Sequence, residues 1–231
     1  MPSPSWRKRI ERNTIMNLAV LCDFDGTIAK IDAAEFILSR LANGDWRKFG
    51  RQFDRGKITL ENCVRKEFLL VNASRKEILH ELRDVIEFRP NFKMLAEYCR
   101  ERNIPFVIVS AGLDFVIDYF LRLNHCRELV ETCTAKAKCS VNGIKLKFPQ
   151  LRDKTSVNFK QDLVRHNKKQ GRSVIFIGDS SADFAAIIEA DYAMAIKGSG
   201  LARICKNRDI AFQAIVDFQE VVEAISRYNF L

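Results

Sequence analysis

Two aspartates follow the first apolar run of the sequence, in the segment Asp23-Phe24-Asp25-Gly26-Thr27. Carboxylates this close repel each other and raise the pKa of one of them unless a cation lies nearby. A hard divalent cation with oxygen ligands, above all Mg²⁺, removes that repulsion. The segment therefore favours a magnesium site, and the alternative is a solvated acidic turn.

Polar residues also follow two later apolar runs. Ser110 comes after the run over residues 106–109, and Asp179 and Asp183 come after the run over residues 174–177. Alone, Ser110 would be interpreted as a turn or helix cap, and Asp183 as a residue at a helix start. The carboxyl ends of parallel strands meet at one edge of a sheet, so we expect these groups to converge with the first two aspartates. Such convergence predicts a catalytic site.

An anionic substrate would also need a cation at this edge. Lys160 opens the predicted helix that leads into the strand before Asp179, and Lys154 is its nearest competitor. We favour Lys160 because its helix precedes that strand directly. The alternative is a solvated helix lysine.

The elements that must position these residues are short apolar runs alternating with helical patterns. We predict strands over residues 17–22, 106–109, 174–177, 192–195 and 210–212. We predict helices over residues 91–102, 114–123, 158–169, 182–190, 200–206 and 217–227. This alternation is typical of βαβ units and of an α/β fold with a parallel sheet.

Two segments interrupt the alternation. Residues 33–85 hold four helical stretches and no convincing strand, which predicts a small helical cap inserted after the first strand. Residues 139–148 carry Asn142-Gly143 between alternating residues, which predicts a β-hairpin. The predicted division is therefore a basic tail over 1–16, a core domain over 17–32 and 86–231, and a cap domain over 33–85.

Composition limits the classes of protein. The 231 residues are 47% hydrophobic and 29% charged, which excludes a wholly disordered chain. No run of 18 apolar residues is present, so we expect no membrane partner. Lysine and arginine total 38 against 29 acidic residues, and the net charge of +9 favours anionic partners. Seven cysteines without a CxxC pair argue against a zinc knuckle. We expect a cytoplasmic protein, with organellar targeting by the basic tail left open.

The ordered motifs resemble those of the haloacid dehalogenase superfamily of phosphohydrolases, and the match extends over residues 17–227. The matching residues are Asp23-Phe24-Asp25-Gly26-Thr27, Ser110, Lys160, and Gly178-Asp179 with Asp183. The resemblance implies a Rossmann-like parallel sheet flanked by helices. The helical insertion and the segment Arg55-Gly56-Lys57-Ile58-Thr59 are similar to the phosphoserine phosphatase-like branch. Residues 201–218 are similar to the methionine-salvage phosphatases, which hydrolyse a keto-enol sugar phosphate.

This resemblance implies a role for each matching residue. Asp23 would be the nucleophile that forms an aspartyl-phosphate, and Asp25 would protonate the leaving oxygen and then activate water. Mg²⁺ would be held by Asp23, the carbonyl of Asp25, and Asp179, with Asp183 in support. The phosphoryl oxygens would be bound by Ser110, the N–H of Ala111, and Lys160. The candidates in the cap for recognition of the leaving group are Asp32, Phe36 and Glu67.

The expected partner is a small phosphorylated metabolite, and the sequence leaves the oligomeric state open. Phosphoserine is disfavoured because Glu67 stands where that branch carries an arginine, and because Ala182 replaces its usual asparagine. A phosphate-sensing receiver domain would need neither Asp25 nor a cap. A nucleic-acid-binding protein would explain the charge excess, but no nucleic-acid signature stands out and we expect no such partner.

Overall fold

A computed structural model describes residues 17–140 and 142–227, so the predicted basic tail over residues 1–16 lies outside the described part. The strands are β1 (Leu18–Cys22), β2 (Phe106–Leu113), β3 (Glu131–Ser140), β4 (Gly143–Lys147), β5 (Ser173–Gly178), β6 (Tyr192–Ile196) and β7 (Gln213–Ile215). The helices before β2 are α1 (Ala33–Leu41), α2 (Arg47–Asp54), α3 (Leu60–Phe68), α4 (Arg75–Leu82) and α5 (Phe92–Glu101). Those that follow are α6 (Asp114–Leu123), α7 (Phe159–Lys169), α8 (Phe184–Ile187), α9 (Gly200–Asn207) and α10 (Gln219–Arg227).

The strands form one sheet in the order β4-β3-β2-β1-β5-β6-β7. Neighbouring strands are parallel except β3 and β4, which pair antiparallel. Every residue of β1 is buried, as expected for a central parallel strand covered on both faces. The predicted α/β fold with a mostly parallel sheet is confirmed, and so is the hairpin, formed by β3 and β4.

Two strand predictions need correction. The first strand of the hairpin begins at Glu131 and pairs in parallel with β2, with Val109 opposite Cys133. Its buried positions include Ala135 and Ala137, which are too small to form the apolar run that marks a strand. The prediction over residues 210–212 was wrong, because β7 is Gln213–Ile215. The N–H of Ile210 instead donates to the carbonyl of Cys205 and closes the end of α9.

Helices α1 to α4 lie between β1 and β2 along the chain, within the predicted insertion. Side-chain caps start three of them: Asp32 for α1, Thr59 for α3 and Ser74 for α4. Several hydrogen bonds tie the insertion to the rest of the protein, and two of them are accepted by its carboxylates. Ser181 Oγ donates to Asp54 Oδ1 over 3.1 Å, and the N–H of Phe159 donates to Glu61 Oε1 over 2.9 Å. The division into cap and core domains stays a prediction.

Among the described residues, the helices are too short or too polar to cross a bilayer.

Candidate active site

Three neighbouring strands bring the candidate residues to one edge of the sheet. β1 lies between β2 and β5, with Cys22 opposite both Ile108 and Ile177. The N–H of Asp23, the next residue, donates to the carbonyl of Ile177 over 2.9 Å. Asp179 follows β5 at the same end, so the aspartates that follow β1 and β5 meet there.

Asp23, Asp179 and Asp183 form a carboxylate cluster. Each offers an oxygen that lies within 4.8 Å of the other two. Burial and the charge of Asp183 raise the pKa of Asp23 to about 7 and that of Asp179 to about 8. Crowded carboxylates that resist ionisation are a fitting donor set for a hard divalent cation.

The buried Oδ1 of Asp23 lies 2.9 Å from Lys160 Nζ but accepts no hydrogen bond of ordinary geometry from the described residues. The three carboxylates hold more negative charge than the single ammonium of Lys160 balances, and a bound cation would neutralise the rest. The residues present therefore fit Mg²⁺.

Among the described residues that line the site, Lys160 supplies a buried cation. It is buried in the first turn of α7, and its Nζ lies 2.7 Å from Asp183 Oδ1. Burial alone would lower the pKa of Lys160, but the carboxylates of Asp183 and Asp23 raise it above its ordinary value. The side chain therefore stays charged. Lys154, the competing candidate, is exposed.

Asp25 lies beside this cluster and Ser110. Its Oδ1 accepts from the N–H of Ala33 over 3.0 Å, and its Oδ2 accepts from Ser110 Oγ over 3.4 Å. Removal from water and the charges of Asp32 and Asp23 raise the pKa of Asp25 well above its ordinary value. A carboxyl group whose pKa is raised holds its proton more readily and is suited to protonate a leaving oxygen.

A break in the β2–β3 register shapes one side of the site. The register shifts between Ser110 and Leu113, so Ser110, Ala111 and Gly112 line the cavity as an irregular strand end. The N–H of Gly112 donates to Ser110 Oγ over 3.0 Å. That bond fixes the hydroxyl next to Asp25.

The insertion lies across these groups and lines with them a partly open cavity of about 460 Å³. Its floor includes Asp23, Asp25, Ser110 and Lys160. Helices α2 and α3 supply much of the opposite wall, with Phe53, Leu60, Val64 and Glu67 among its residues. Three of these four wall residues are apolar, and Glu67 is the exception.

Two of the three candidates in the cap reach this cavity. Asp32 lines it while Oδ1 caps α1 by accepting from the N–H of Glu35 over 2.7 Å. Glu67 is buried, and Oε1 accepts from the thiol of Cys63 over 3.4 Å. Burial raises the pKa of Glu67 to about 7. Phe36 is not part of the cavity lining and packs half-buried on the core.

Sequence reasoning missed two residues that contact the site. Thr27 Oγ1 donates to Asp179 Oδ1 over 3.1 Å, and the guanidinium of Arg89 donates to the carbonyls of Gly26 and Thr27. Thr27 ends the acidic segment over residues 23–27, and its place in that motif is a signal in the sequence. Arg89 is distant in sequence, and no local pattern distinguishes it from the other arginines.

Comparisons with known proteins show the family to which this chain belongs. A family model described as haloacid dehalogenase-like hydrolase matches residues 20–187. A 2-hydroxy-3-keto-5-methylthiopentenyl-1-phosphate phosphatase of Geobacillus kaustophilus is 28% identical over 222 residues, covering 91% of this chain and 96% of the relative. The bifunctional enzyme MtnB/MtnX of Bacillus licheniformis is 30% identical over 207 residues, covering 87% of this chain and 48% of the relative.

Solved structures resemble the whole fold. A phospho-aspartyl intermediate analogue of phosphoserine phosphatase superposes with a TM-score of 0.66 at 15% identity, covering 90% of this chain and 99% of that one. Phosphoserine phosphatase from T. onnurineus gives 0.63 at 17% identity, covering 93% and 96%. At such identities the likeness shows the fold alone.

Proposed function

Because this chain belongs to the haloacid dehalogenase-like hydrolases and is a phosphatase of that family, we propose that it is an Mg²⁺-dependent phosphomonoesterase that works through an aspartyl-phosphate on Asp23. The observation that carries the proposal is the cluster of Asp23, Asp179 and Asp183 around the buried Lys160. A folded protein gains little from burying several charges together, so a ligand that uses them is the better explanation.

In this proposal Asp23, the carbonyl of Asp25, and Asp179 hold Mg²⁺. The ion supplies charge neutralisation between the nucleophile and the phosphate dianion. Asp183 supports the site from behind, because its Oδ2 already accepts from the N–H groups of Asp179 over 3.0 Å and Ser180 over 3.1 Å. Its Oδ1 is occupied by Lys160.

The chain's own residues perform two displacements at phosphorus. The carboxylate of Asp23 attacks, the bond from phosphorus to the leaving oxygen breaks, and Asp25 transfers its proton to that oxygen. Asp25 then takes a proton from water, whose oxygen attacks phosphorus and releases Asp23 with inorganic phosphate. Lys160, Ser110 and the N–H of Ala111 bind the phosphoryl oxygens and stabilise their charge. The cap excludes bulk water during both steps.

We propose a small phosphorylated metabolite as the substrate, with a keto-enol sugar phosphate of the methionine-salvage type as the first candidate. The name of the Geobacillus kaustophilus relative supports this choice. The cavity supports it too, because its wall carries Phe53, Leu60 and Val64. Such a wall suits an uncharged leaving group with an apolar portion.

Phosphoserine is the second candidate, because two solved structures that share the fold are named phosphoserine phosphatases. Glu67 opposes it, because an acid on the cavity wall repels a substrate carboxylate when ionised. Arg47 and Arg51 also line the cavity, but they face Glu35 at 3.8 Å and Asp45 at 2.8 Å. We assign leaving-group recognition to Asp32 and Glu67 and omit Phe36.

We also propose a reducing compartment such as the cytoplasm. All seven cysteines fall within the described residues, and they form no disulfide.

Release of inorganic phosphate from a panel of monoesters tests the function. The panel contains the keto-enol sugar phosphate, phosphoserine and p-nitrophenyl phosphate, each with and without Mg²⁺. Activity should require Mg²⁺ and vanish in Asp23→Asn, while Asp84→Asn, which changes an exposed aspartate, should match the wild type. Full activity in Asp23→Asn would refute the mechanism, and no release from any monoester would refute the function.

A further inference from the structure

Arg89 lies where the chain leaves the insertion and returns to the core. The entering and leaving segments meet there, with Ala29 bridged antiparallel to Phe88 and the N–H of Lys30 donating to the carbonyl of Glu87. The N–H of Arg89 itself donates to the carbonyl of Ile28 over 2.7 Å. The residue is thus fixed to the catalytic turn, residues 24–28, through its backbone.

The side chain of Arg89 also donates hydrogen bonds to the same turn. Nε donates to the carbonyl of Thr27 over 2.9 Å, and Nη2 donates to the carbonyl of Gly26 over 2.9 Å. Nη1 donates to the carbonyl of Val216, beyond β7, over 3.3 Å. A planar guanidinium serves several acceptors at once in a way that the point charge of a lysine does not.

The turn needs this grip because its backbone is irregular. Gly26 has φ +71°, and Asp25 has extended angles within an otherwise helical segment. A Cβ at Gly26 would also lie 2.3 Å from Asp179 Oδ2, so no other residue fits there without a shift. Carbonyls in such a turn lack the regular N–H partners of a helix, and Arg89 supplies them.

The carbonyls that accept hydrogen bonds from Arg89 lie next to groups that the reaction uses. Gly26 follows Asp25 directly, and Thr27 bonds Asp179 through its hydroxyl. A second contact acts on the same turn, because the ring of Phe24 packs edge-on against Phe88 with 5.7 Å between centroids. Residues 88 and 89 therefore hold both the ring and the carbonyls of the segment that carries the catalytic aspartates.

We propose that Arg89 is a positioning residue that fixes the catalytic turn to the exit of the cap and thereby sets the placement of Asp25 and Asp179. The role rests on the proposed function, since it acts through the residues assigned to phosphoryl transfer. Loss of the guanidinium lets the backbone carbonyl of Asp25 and the carboxylate of Asp179 move, and displaced metal ligands bind their ion less tightly.

The test compares Arg89→Met and Arg89→Lys with Arg83→Met, which removes an exposed arginine paired with its neighbour Asp84. Magnesium affinity is measured by calorimetry with Mg²⁺ alone. The kinetic constants kcat and KM are measured with p-nitrophenyl phosphate, and folding is checked by circular dichroism.

In Arg89→Met we expect kcat and magnesium affinity each to fall about 10–100-fold, with little change in KM. Arg89→Lys should recover part of both, and Arg83→Met should match the wild type. A folded Arg89→Met with unchanged kcat and magnesium affinity would overturn the role. If Arg89→Met does not fold, Arg89→Lys is the deciding variant. Wild-type kcat and magnesium affinity in Arg89→Lys would show that the guanidinium is not needed.

These outcomes separate the two proposals. If the wild-type protein releases phosphate from no monoester, the proposed function is refuted. The magnesium titrations of the Arg89 variants still test the positioning role in that case.

Discussion

Nζ of Lys160 lies 2.9 Å from Oδ1 of Asp23, and both side chains are buried. Desolvation of such a pair costs about as much as the attraction returns, so apolar residues of similar size would serve stability equally well. The pair is better explained by the chemistry that it permits. In the proposed reaction Lys160 orients Asp23 and also neutralises charge on the transferred phosphoryl group.

Replacing Lys160 by methionine should remove both activity and stability. Without Mg²⁺, Asp23 and Asp183 would be left as buried carboxylates that lack a cation, which typically costs about 3–5 kcal/mol. Urea denaturation and phosphate release measure the two effects. Lys154→Met is the matched control because Lys154 is exposed. Equal stability and equal rates in the two variants would contradict the assignment of Lys160.

Magnesium should stabilise the folded protein. Binding to the native carboxylate cluster alone would add about 2.7 kcal/mol to the free energy of unfolding when Mg²⁺ is at 100 times its Kd. Thermal melts with Mg²⁺ and with EDTA measure the shift. Asp179→Asn removes one of the proposed ligands, so its melting temperature should respond much less to Mg²⁺. If the melting temperature of the wild type does not change when Mg²⁺ is added, the result would argue against the metal site.

Glu67 should make stability depend on pH. Its pKa rises from the ordinary 4.5 to about 7 in the folded protein, mainly through burial. Between these two values the unfolded chain ionises while the folded protein keeps its proton. The folded state therefore loses stability as pH rises from 4.5 to 7, and the loss levels off above pH 7.

Glu67→Gln removes this titration while keeping the shape of the side chain. Its free energy of unfolding relative to the wild type should grow by about 1–3 kcal/mol between pH 4.5 and pH 8. Urea denaturation across that range measures the difference. Glu101→Gln, at an exposed position, should show no such trend. A constant difference between Glu67→Gln and the wild type would mean that Glu67 ionises normally.

Gly112→Ala should impair catalysis through Asp25. A Cβ at this position would lie 2.5 Å from Asp25 Oδ2 and 3.2 Å from Ser110 Oγ, so the carboxyl group must move. A displacement of about 1 Å at a catalytic group can cost about 100-fold in rate. We expect kcat to fall by that order while the variant remains folded by circular dichroism. An unchanged kcat in the folded variant would show that this position of Asp25 is not required.

Much of the fold follows from local patterns in the sequence. The apolar runs before Asp23, Ser110 and Asp179 predicted three adjacent strands, because fully buried parallel strands need continuous apolar side chains. Asn142-Gly143 predicted the hairpin through its turn chemistry. The first strand of that hairpin was found only in part, since its alanines become a core face only when β2 pairs beside them.

The sequence by itself determined which groups stand at the strand ends, because strand period, turn residues and helix starts are encoded within a few neighbouring positions. The tertiary structure alone decided that Lys160 lies between Asp23 and Asp183, that Glu67 is buried on a cavity wall, and that Arg89 grips the carbonyls of Gly26 and Thr27. These relationships join residues far apart along the chain. Burial and charge pairing depend on which surfaces pack together, and no local pattern specifies that.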